Sequence, residues 1–279
     1  MVSSESSTLT DRLAGTLLGT ALGDALGLPA EGMTSRAVAR RFGRVDRFRL
    51  LGRTGFVSDD TEQAALVAQA LARHPDDVDL CVRAFRRSLL GWFCRLPWGV
   101  GMATIRSCVR IAFGLHTSGV RSAGDGAAMR AAIVGAFFHD RPVERAAFGR
   151  ALAEVTHRDG RAVRGALFVA ELAACCARSP TGTAPMVCHA EARGIVMQAE
   201  LGRAIDRARE LALARSGTAE AAMACGTSGY VVHAGSFASF CFLRYGNEPL
   251  RALTEAISAG GDSDTIGAIL GGWLGAVAR

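Results

Sequence analysis

Two short acidic segments carry the residue types best suited to chemistry in this chain. The first is Ser58-Asp59-Asp60-Thr61-Glu62, and the second is Gly260-Gly261-Asp262-Ser263-Asp264-Thr265. Hard cations such as Mg²⁺ and Mn²⁺ prefer carboxylate and hydroxyl oxygens of the kind that both segments offer. The oxygen ligands form two trios, one in each segment: Ser58, Asp59 and Asp60, and Asp262, Asp264 and Thr265.

Helix capping is the alternative interpretation of these segments. Ser and Asp are preferred N-cap residues, and Asp59 with Glu62 has the spacing of a capping box. Capping needs one carboxylate per helix, however, and each segment has two. Crowded carboxylates raise one another's pKa and cost stability unless a cation compensates. We therefore predict that the two trios meet and hold two divalent cations bridged by a carboxylate. The pair Gly260-Gly261 would allow the sharp turn that this requires.

Helical periodicity dominates the elements that must position these residues. Apolar residues recur at helical spacing in 13–28, 61–73 and 78–92, and long alternating strand patterns are absent. About twelve helices and no linker predict an all-α fold, a single compact many-helix domain over residues 1–279 with a flexible segment 1–8. Further candidate helices are 101–115, 127–138, 143–156, 161–177, 186–200, 202–214, 229–244, 249–259 and 264–278.

The first predicted helix carries a stripe of glycines at four-residue spacing. Residues four apart lie on one helix face, and each glycine costs about 1 kcal/mol in helix propensity relative to alanine. The stripe comprises Gly15, Gly19, Gly23 and Gly27. A cost repeated four times predicts that another backbone approaches this face closely.

Composition excludes several classes of protein. Arginine supplies all 32 basic residues and the net charge is +6, but the arginines are spread along the chain, which does not favour a nucleic-acid-binding role. The eight cysteines form no CxxC pair or zinc-site spacing, which indicates a reducing compartment. No signal peptide is visible, and the apolar run 266–278 is shorter than the roughly 20 residues of a membrane span. We therefore expect a cytoplasmic protein without a membrane partner.

Other residues become candidates only in combination. Glu31 follows the end of the first helix and falls on a loop, where a lone glutamate is usually just solvated. The segment 122–130 is a glycine-rich turn leading into a helix, which leaves backbone N–H groups free for a phosphate. His157 alone is more typical of a core or surface histidine.

One all-α alternative uses similar parts. Asp59-Asp60-Thr61-Glu62 loosely resembles the acidic motif of terpene-synthase-like enzymes, which bind magnesium diphosphate. The second segment does not match their asparagine/serine/glutamate pattern, and an aromatic content of 6% is low for their pockets. The sequence disfavours this class.

Taken in order, the segments resemble the ADP-ribosylglycohydrolase family, which includes dinitrogenase-reductase-activating glycohydrolase and the ADP-ribosyl-acceptor hydrolases. The matching stretches are GTLLGTALGDALGLPAE, FVSDDTEQA, SAGDGAAMR, VTHRDGRAVRGA, SGYVV and AGGDSDTIGAILGG, which together span residues 15–272. The resemblance implies an all-α domain with two central metal ions, usually magnesium or manganese. It also implies ADP-ribose as the product.

The resemblance assigns a role to each candidate residue. It puts Ser58, Asp59, Asp60, Asp262, Asp264 and Thr265 at metal positions. Glu31 matches a mobile glutamate near the scissile bond and is the candidate acid or base, a role that Asp60 could share. The implied ADP-ribose-binding residues are Gly99, Gly101, Ser122, Gly124, Asp125, Gly126, Met129, His157, Gly229 and Tyr230.

The chain departs from the family pattern at several of these positions. Ser58 and Ser263 stand where threonine is common, which keeps the oxygen, and Gln63 replaces a frequent methionine. Asp125 stands where asparagine is usual and would add negative charge near a diphosphate. This last change leaves open a non-catalytic ADP-ribose-binding protein.

We expect a metal-dependent hydrolase that cleaves the C1″ glycosidic bond of ADP-ribose on a modified protein side chain. ADP-ribosyl-arginine is the favoured substrate. Serine, nucleic-acid and small-molecule linkages remain alternatives.

Overall fold

The computed structural model describes residues 9–50, 52, 54–180, 183–197 and 199–277, so the predicted flexible segment 1–8 lies outside the described residues. In the described ranges the fold is all-α, with isolated β-bridges and no strand, which confirms the predicted class. The helices are α1 Leu9–Gly27, α2 Ser35–Phe42, α3 Asp59–Arg73, α4 Val78–Phe93, α5 Met102–Ala112, α6 Ala132–Phe137, α7 Pro142–Glu154, α8 Gly160–Arg178, α9 Pro185–Gly194, α10 Ala199–Leu213, α11 Thr218–Cys225, α12 Val231–Tyr245, α13 Pro249–Ser258 and α14 Ser263–Ala276.

The predicted glycine stripe packs against a second glycine stripe. A Cβ built on Gly15, Gly19 or Gly23 would overlap the carbonyl oxygen of Gly275, Gly271 or Gly267, respectively. The order of these pairs makes α1 and α14 antiparallel. Their backbones touch along most of their length, as the stripe predicted. The N-terminal end of α14 therefore lies beside the C-terminal end of α1.

By length and mean hydropathy, the segment 9–30 could cross a membrane, although no long enough span was expected from the sequence. Its glycine face, however, is covered by α14, and its Asp24 is fully buried. One face of the helix therefore belongs to the core, whereas Leu9, Leu18 and Leu22 are exposed.

The remaining helices pack against this pair and form two apolar clusters. The larger cluster includes residues of α8, α10, α12 and α14, such as Phe168, Phe237 and Trp273. The smaller one lies between α3, α4, α6 and α7, and includes Phe85, Phe138 and Phe148. The functional residues lie on helix ends and connecting loops.

The structure differs from the predicted elements in a few places. The short helices α2 and α11 were not predicted. The candidate helix 127–138 begins only at Ala132, because residues 125–131 form turns in which Ala128 N–H donates to the Asp125 carbonyl. The candidate helix 186–200 is divided into α9 and the start of α10.

Candidate active site

The two acidic segments open helices whose N-terminal ends meet. Ser58 is the N-cap of α3, and its side chain accepts a hydrogen bond from the N–H of Asp60. Asp262 is the N-cap of α14, and its side chain accepts no capping hydrogen bond. The turn before α14 has Gly260 and Gly261 at φ +72° and +82°, the left-handed region that favours glycine. Capping therefore accounts for Ser58 but not for the carboxylates.

Contacts between side chains join the two segments. The hydroxyl of Thr265 donates to Asp60, at 3.1 Å from both carboxylate oxygens, across 205 positions of sequence. The Ser58 hydroxyl lies 3.3 Å from Oδ2 of Asp60. The predicted meeting of the two trios is present in the fold.

Asp24 is a member of the site that sequence reasoning did not select. It lies on α1 and is fully buried. Its carboxylate accepts hydrogen bonds from the Ser58 N–H at 2.9 and 3.0 Å, and from the N–H and hydroxyl of Thr61. Asp24 thus fixes the start of α3 against α1. Its signal in the sequence was a lone carboxylate in an apolar, glycine-striped helix.

Five carboxylates form two groups whose ligand atoms lie within 4.8 Å of one another. Asp24, Asp60 and Asp264 form the first group, which is buried. Glu31 and Asp262 join Asp264 in the second group, in which Glu31 is exposed. Asp264 belongs to both. Asp59 lies beside the groups rather than in them, with Oδ2 accepting a hydrogen bond from Gln63 Nε2 at 2.8 Å.

Burial and mutual repulsion raise the pKa of several of these carboxyl groups. Desolvation, followed by the charge of Asp24, raises the pKa of Asp59 to about 7. Desolvation and the charge of Asp262 raise the pKa of Asp264 to about 9. Desolvation also raises the pKa of Asp24, Asp60 and Glu31. Without a compensating positive charge, these groups hold protons at pH values where free carboxyls are ionised.

The residues fit a divalent-cation site. All the donors in the two groups are carboxylate oxygens, which hard cations prefer. Oδ1 of Asp264 is buried and has no hydrogen-bond partner among the described residues. A cation bound by the carboxylates would satisfy this oxygen and offset the repulsion that raises the pKa values.

A cavity of about 330 Å³ opens beside the carboxylates and collects most of the predicted residues. The predicted residues in its lining are Glu31, Asp59, Gly99, Gly101, Ser122, Gly124, Asp125, Gly126, Met129, His157, Gly229, Asp262, Asp264 and Thr265. Ser58, Asp60 and Tyr230 are not in the lining, although Tyr230 forms a β-bridge with Gly124. The Tyr230 hydroxyl instead donates to Glu200.

Asp125 is buried in the cavity wall, and its surroundings disfavour the negative charge expected from the sequence. Desolvation, followed by the charge of Asp262 and a hydrogen bond with it, holds the pKa of Asp125 well above its usual range. A protonated Asp125 can donate a hydrogen bond, as the amide of asparagine does. A protonated Asp125 carries no charge and would not repel a diphosphate, as the ionised aspartate expected from the sequence would.

A buried arginine connects the acidic side of the cavity, at Asp59, with the predicted ADP-ribose-binding side, at His157. Arg130 donates to Oε1 of Gln63 at 2.7 Å, and Gln63 donates in turn to Asp59. Its other terminal nitrogen donates to the Thr156 hydroxyl at 2.6 Å. Sequence reasoning missed this chain of contacts because its members lie on three separate segments, although Gln63 had been noted as a departure from the family pattern.

This chain ends at the imidazole of His157. The Thr156 hydroxyl lies 2.8 Å from His157 Nδ1. Burial, with the nearby charge of Arg130, lowers the pKa of His157 to about 3, so that the ring is neutral at physiological pH. A neutral ring is suited to hydrogen bonding rather than to donating a second proton.

The family model of the ADP-ribosylglycohydrolases matches residues 5–278. The chain belongs to the ADP-ribosylglycohydrolase family. It is accordingly an enzyme of the glycosidic-bond hydrolase class.

Two individual relatives extend over nearly the same length. An uncharacterized protein of Archaeoglobus fulgidus is 28% identical over 265 residues, which cover 90% of this chain and 82% of the relative. A solved structure described as an ADP-ribosylglycohydrolase-related protein complex is 27% identical, with a TM-score of 0.74. That match covers 96% of this chain and 87% of the other. The all-α fold is thus shared with a structure that carries the family description.

Proposed function

We propose that this ADP-ribosylglycohydrolase releases ADP-ribose from modified protein side chains by hydrolysing the C1″ glycosidic bond, with ADP-ribosyl-arginine as its substrate. The observation that carries the proposal is the cavity in which Glu31, Asp262 and Asp264 face the predicted ligand loop, with Asp24 and Asp60 grouped around Asp264 outside the cavity lining. This arrangement would place the cations and a phosphate-bearing ligand in the same cavity.

The two carboxylate groups suit two Mg²⁺ or Mn²⁺ ions, with Asp264 shared between them. Asp24 and Asp60 would complete one position and Asp262 the other, with Glu31 beside it and free for proton transfer. When bound, the cations would supply positive charge and fixed oxygen coordination for substrate hydroxyls and water. Ser58, Asp59 and Thr265 are further candidate ligands: the hydroxyls of Ser58 and Thr265 contact Asp60, and Asp59, whose carboxylate accepts from Gln63, lines the cavity.

Glu31 is suited to move a proton at the cavity mouth. It is exposed, it lines the cavity, and desolvation with the charges of Asp262 and Asp24 raises its pKa. A raised pKa brings a carboxyl closer to the operating pH of an acid or base. Asp60 is fully buried and hydrogen-bonded by Thr265, so Glu31 is the better candidate for direct contact with water or the leaving group.

The opposite wall suits the ADP-ribose. His157 and a protonated Asp125 offer hydrogen-bond donors or acceptors. In the adjoining turn, the N–H of Gly124 donates to the Ser122 hydroxyl and that of Asp125 to the Gly229 carbonyl, so the N–H of Gly126 is the backbone donor without a partner among the described residues. Gly126 has no room for a side chain, because a Cβ there would lie 2.9 Å from Cε1 of His157. These contacts would orient the ribose so that C1″ faces the carboxylates.

Two side chains, one in the cavity lining and one next to it in sequence, favour a guanidinium leaving group. Glu31 offers a carboxylate. Trp98, which directly precedes the cavity-lining Gly99, is 82% exposed. An exposed indole face attracts an arginine side chain by cation–π stacking. A serine acceptor has neither the charge nor the planar group that these two contacts would recognise.

The test is to incubate the purified protein with arginine-ADP-ribosylated and serine-ADP-ribosylated proteins in EDTA, Mg²⁺ or Mn²⁺, and to measure released ADP-ribose. Release from the arginine-linked substrate that requires added metal supports the proposal. Release from the serine-linked substrate alone would overturn the assigned acceptor. Equal release in EDTA would overturn the metal requirement.

All eight cysteines are free, and seven of them are buried. Free thiols persist in reducing compartments, which supports a cytoplasmic location for this activity.

A further inference from the structure

The chain segment that forms one side of the cavity is strongly basic. Residues 80–124 contain seven arginines and no aspartate or glutamate, between Asp79 and Asp125. The basic residues of the segment are Arg83, Arg86, Arg87, Arg95, Arg106, Arg110 and Arg121. Arginines occur along the whole chain, but this segment is the one in which seven of them are accompanied by no acidic residue.

Two of these arginines meet a third in a surface pocket. Arg110, Arg121 and Arg158 line a pocket of about 490 Å³, together with Gly119. No other residue type lines it among the described residues. A pocket walled by three guanidinium groups has the chemistry of an anion site.

The backbone places Arg121 and Arg158 side by side. Val120 and His157 form a parallel β-bridge, in which Val120 N–H donates to the Thr156 carbonyl and Arg158 N–H donates to the Val120 carbonyl. In extended backbone, successive side chains point to opposite faces. His157 lines the cavity, whereas its neighbour Arg158 is exposed and lines the arginine pocket.

Gly119 contacts two of the arginines that line the pocket. Arg110 Nη1 donates to the Gly119 carbonyl at 2.9 Å. A Cβ on Gly119 would lie 2.7 Å from Cγ of Arg158, so the Arg158 stem lies across this glycine. The loop itself is fixed, because Arg86 donates to the carbonyls of Leu115 and His116. Hydrogen bonds from Arg86 and Arg110 therefore hold the pocket in shape, and the arginines at 110, 121 and 158 all line it.

Nearby carboxylates are engaged elsewhere. Glu154 pairs with Arg150, and Asp159 pairs with Arg161. In the part of the chain that the structure describes, no carboxylate lies within 4.0 Å of the guanidinium groups of Arg110, Arg121 or Arg158. Three like charges around one pocket repel one another unless an anion neutralises them.

We propose that this arginine pocket binds a phosphate group, either as free phosphate or as a phosphate monoester carried by a larger ligand. The planar fork of arginine forms paired hydrogen bonds with phosphate oxygens, and three forks match a tetrahedral dianion. The pocket lies on the other face of the Val120–His157 bridge from the catalytic cavity. The proposal concerns binding alone and does not depend on the proposed hydrolysis.

The test is calorimetric titration with inorganic phosphate and with glycerol phosphate at constant ionic strength, in EDTA so that no metal–phosphate complex contributes. The wild type is expected to bind in a saturable manner, and R121S/R158S at least about tenfold more weakly. The matched control is R36S/R40S, which removes the same charge from exposed positions on α2. Both variants alter exposed side chains; if R121S/R158S is less stable, R121S alone carries the test.

Binding of both probes identifies a site open to tethered phosphates, and binding of inorganic phosphate alone identifies a site for the free ion. Either result supports the proposal if R36S/R40S retains wild-type affinity. Equal losses in the two double variants, or none in R121S/R158S, would overturn it. ADP-ribose affinity serves as the separate readout of the catalytic cavity and should be the same in R121S/R158S and wild type.

Discussion

Gly19 and Gly271 face each other at the centre of the fold, and their backbones touch. A Cβ on Gly19 would lie 2.9 Å from the Gly271 carbonyl carbon and closer still to its oxygen. This contact belongs to the antiparallel packing of α1 and α14, which sets Asp24 beside Asp264. The glycine stripe therefore positions the candidate metal ligands as well as the core.

Gly19→Ala should unfold or strongly destabilise the protein, because the added methyl group meets backbone that cannot rotate away. We expect a loss of about 3 kcal/mol or more in the free energy of unfolding. Gly91→Ala is the matched control, because nothing lies within 4 Å of a Cβ there. It should stabilise α4 by up to about 1 kcal/mol. Urea denaturation of both variants measures this difference; similar stabilities would contradict the close approach.

Arg130→Met should weaken the fold and loosen the cavity wall. The substitution leaves Gln63 Oε1 and the Thr156 hydroxyl without their buried donor, which we expect to cost about 3 kcal/mol or more. Arg36→Met removes an exposed arginine and should change stability by less than about 0.5 kcal/mol. Thermal and urea unfolding of both variants measure the difference in stability. An Arg130 variant as stable as the Arg36 control would show that the buried network contributes little.

The metal-free protein should lose stability as the pH rises from 6.5 to 8.5. The folded-state pKa values of Asp59, about 7, and Asp264, about 9, lie above the unfolded value of 3.8, so folding retains protons that the unfolded chain has released. The buried His157 and His189, with lowered pKa values, act in the opposite direction only below about 6.5.

Melting temperatures in EDTA across this range measure the effect. Added Mn²⁺ should restore the loss at pH 8.5 more than at pH 6.5, because metal binding displaces protons from carboxylates. A melting temperature in EDTA that is constant or rises with pH would contradict the assigned pKa directions.

Trp98→Ala should raise KM for an arginine-linked substrate several-fold, in keeping with the loss of a partly exposed cation–π contact. The same variant should leave a serine-linked substrate unaffected if that linkage is cleaved at all. Phe113→Ala is the control, because Phe113 is 80% exposed but, unlike Trp98, is not next in sequence to a cavity-lining residue. Steady-state kinetics of the two variants test the role of the indole; equal effects would argue against it.

The sequence was sufficient to predict the features that depend on local chemistry. The acidic trios were recognisable because two carboxylates at each helix start exceed what capping needs, and the stripe at Gly15 to Gly27 because its propensity cost required a reason. The all-α class followed from periodicity. These signals lie within single segments.

The parts of the site that the sequence did not reveal depend on contacts between distant segments. Asp24 resembled an interruption of an apolar helix, and only the packing of α1 against α14 and against the start of α3 brings it to Asp264 and Asp60. Arg130 was one of many arginines until the fold buried it between Gln63 and Thr156. Short helices such as α2 carry too few residues for a periodic signal.

The most direct test of the account is the number of divalent cations bound per chain in wild type and in Asp264→Asn. Glu220→Gln, a change to an exposed glutamate on α11, is the control. Calorimetric titration with Mn²⁺ should give two sites in the wild type and the control. The Asp264 variant should bind neither ion tightly and should release no ADP-ribose, because both carboxylate groups share this residue. Two tight sites retained in Asp264→Asn would contradict the shared site.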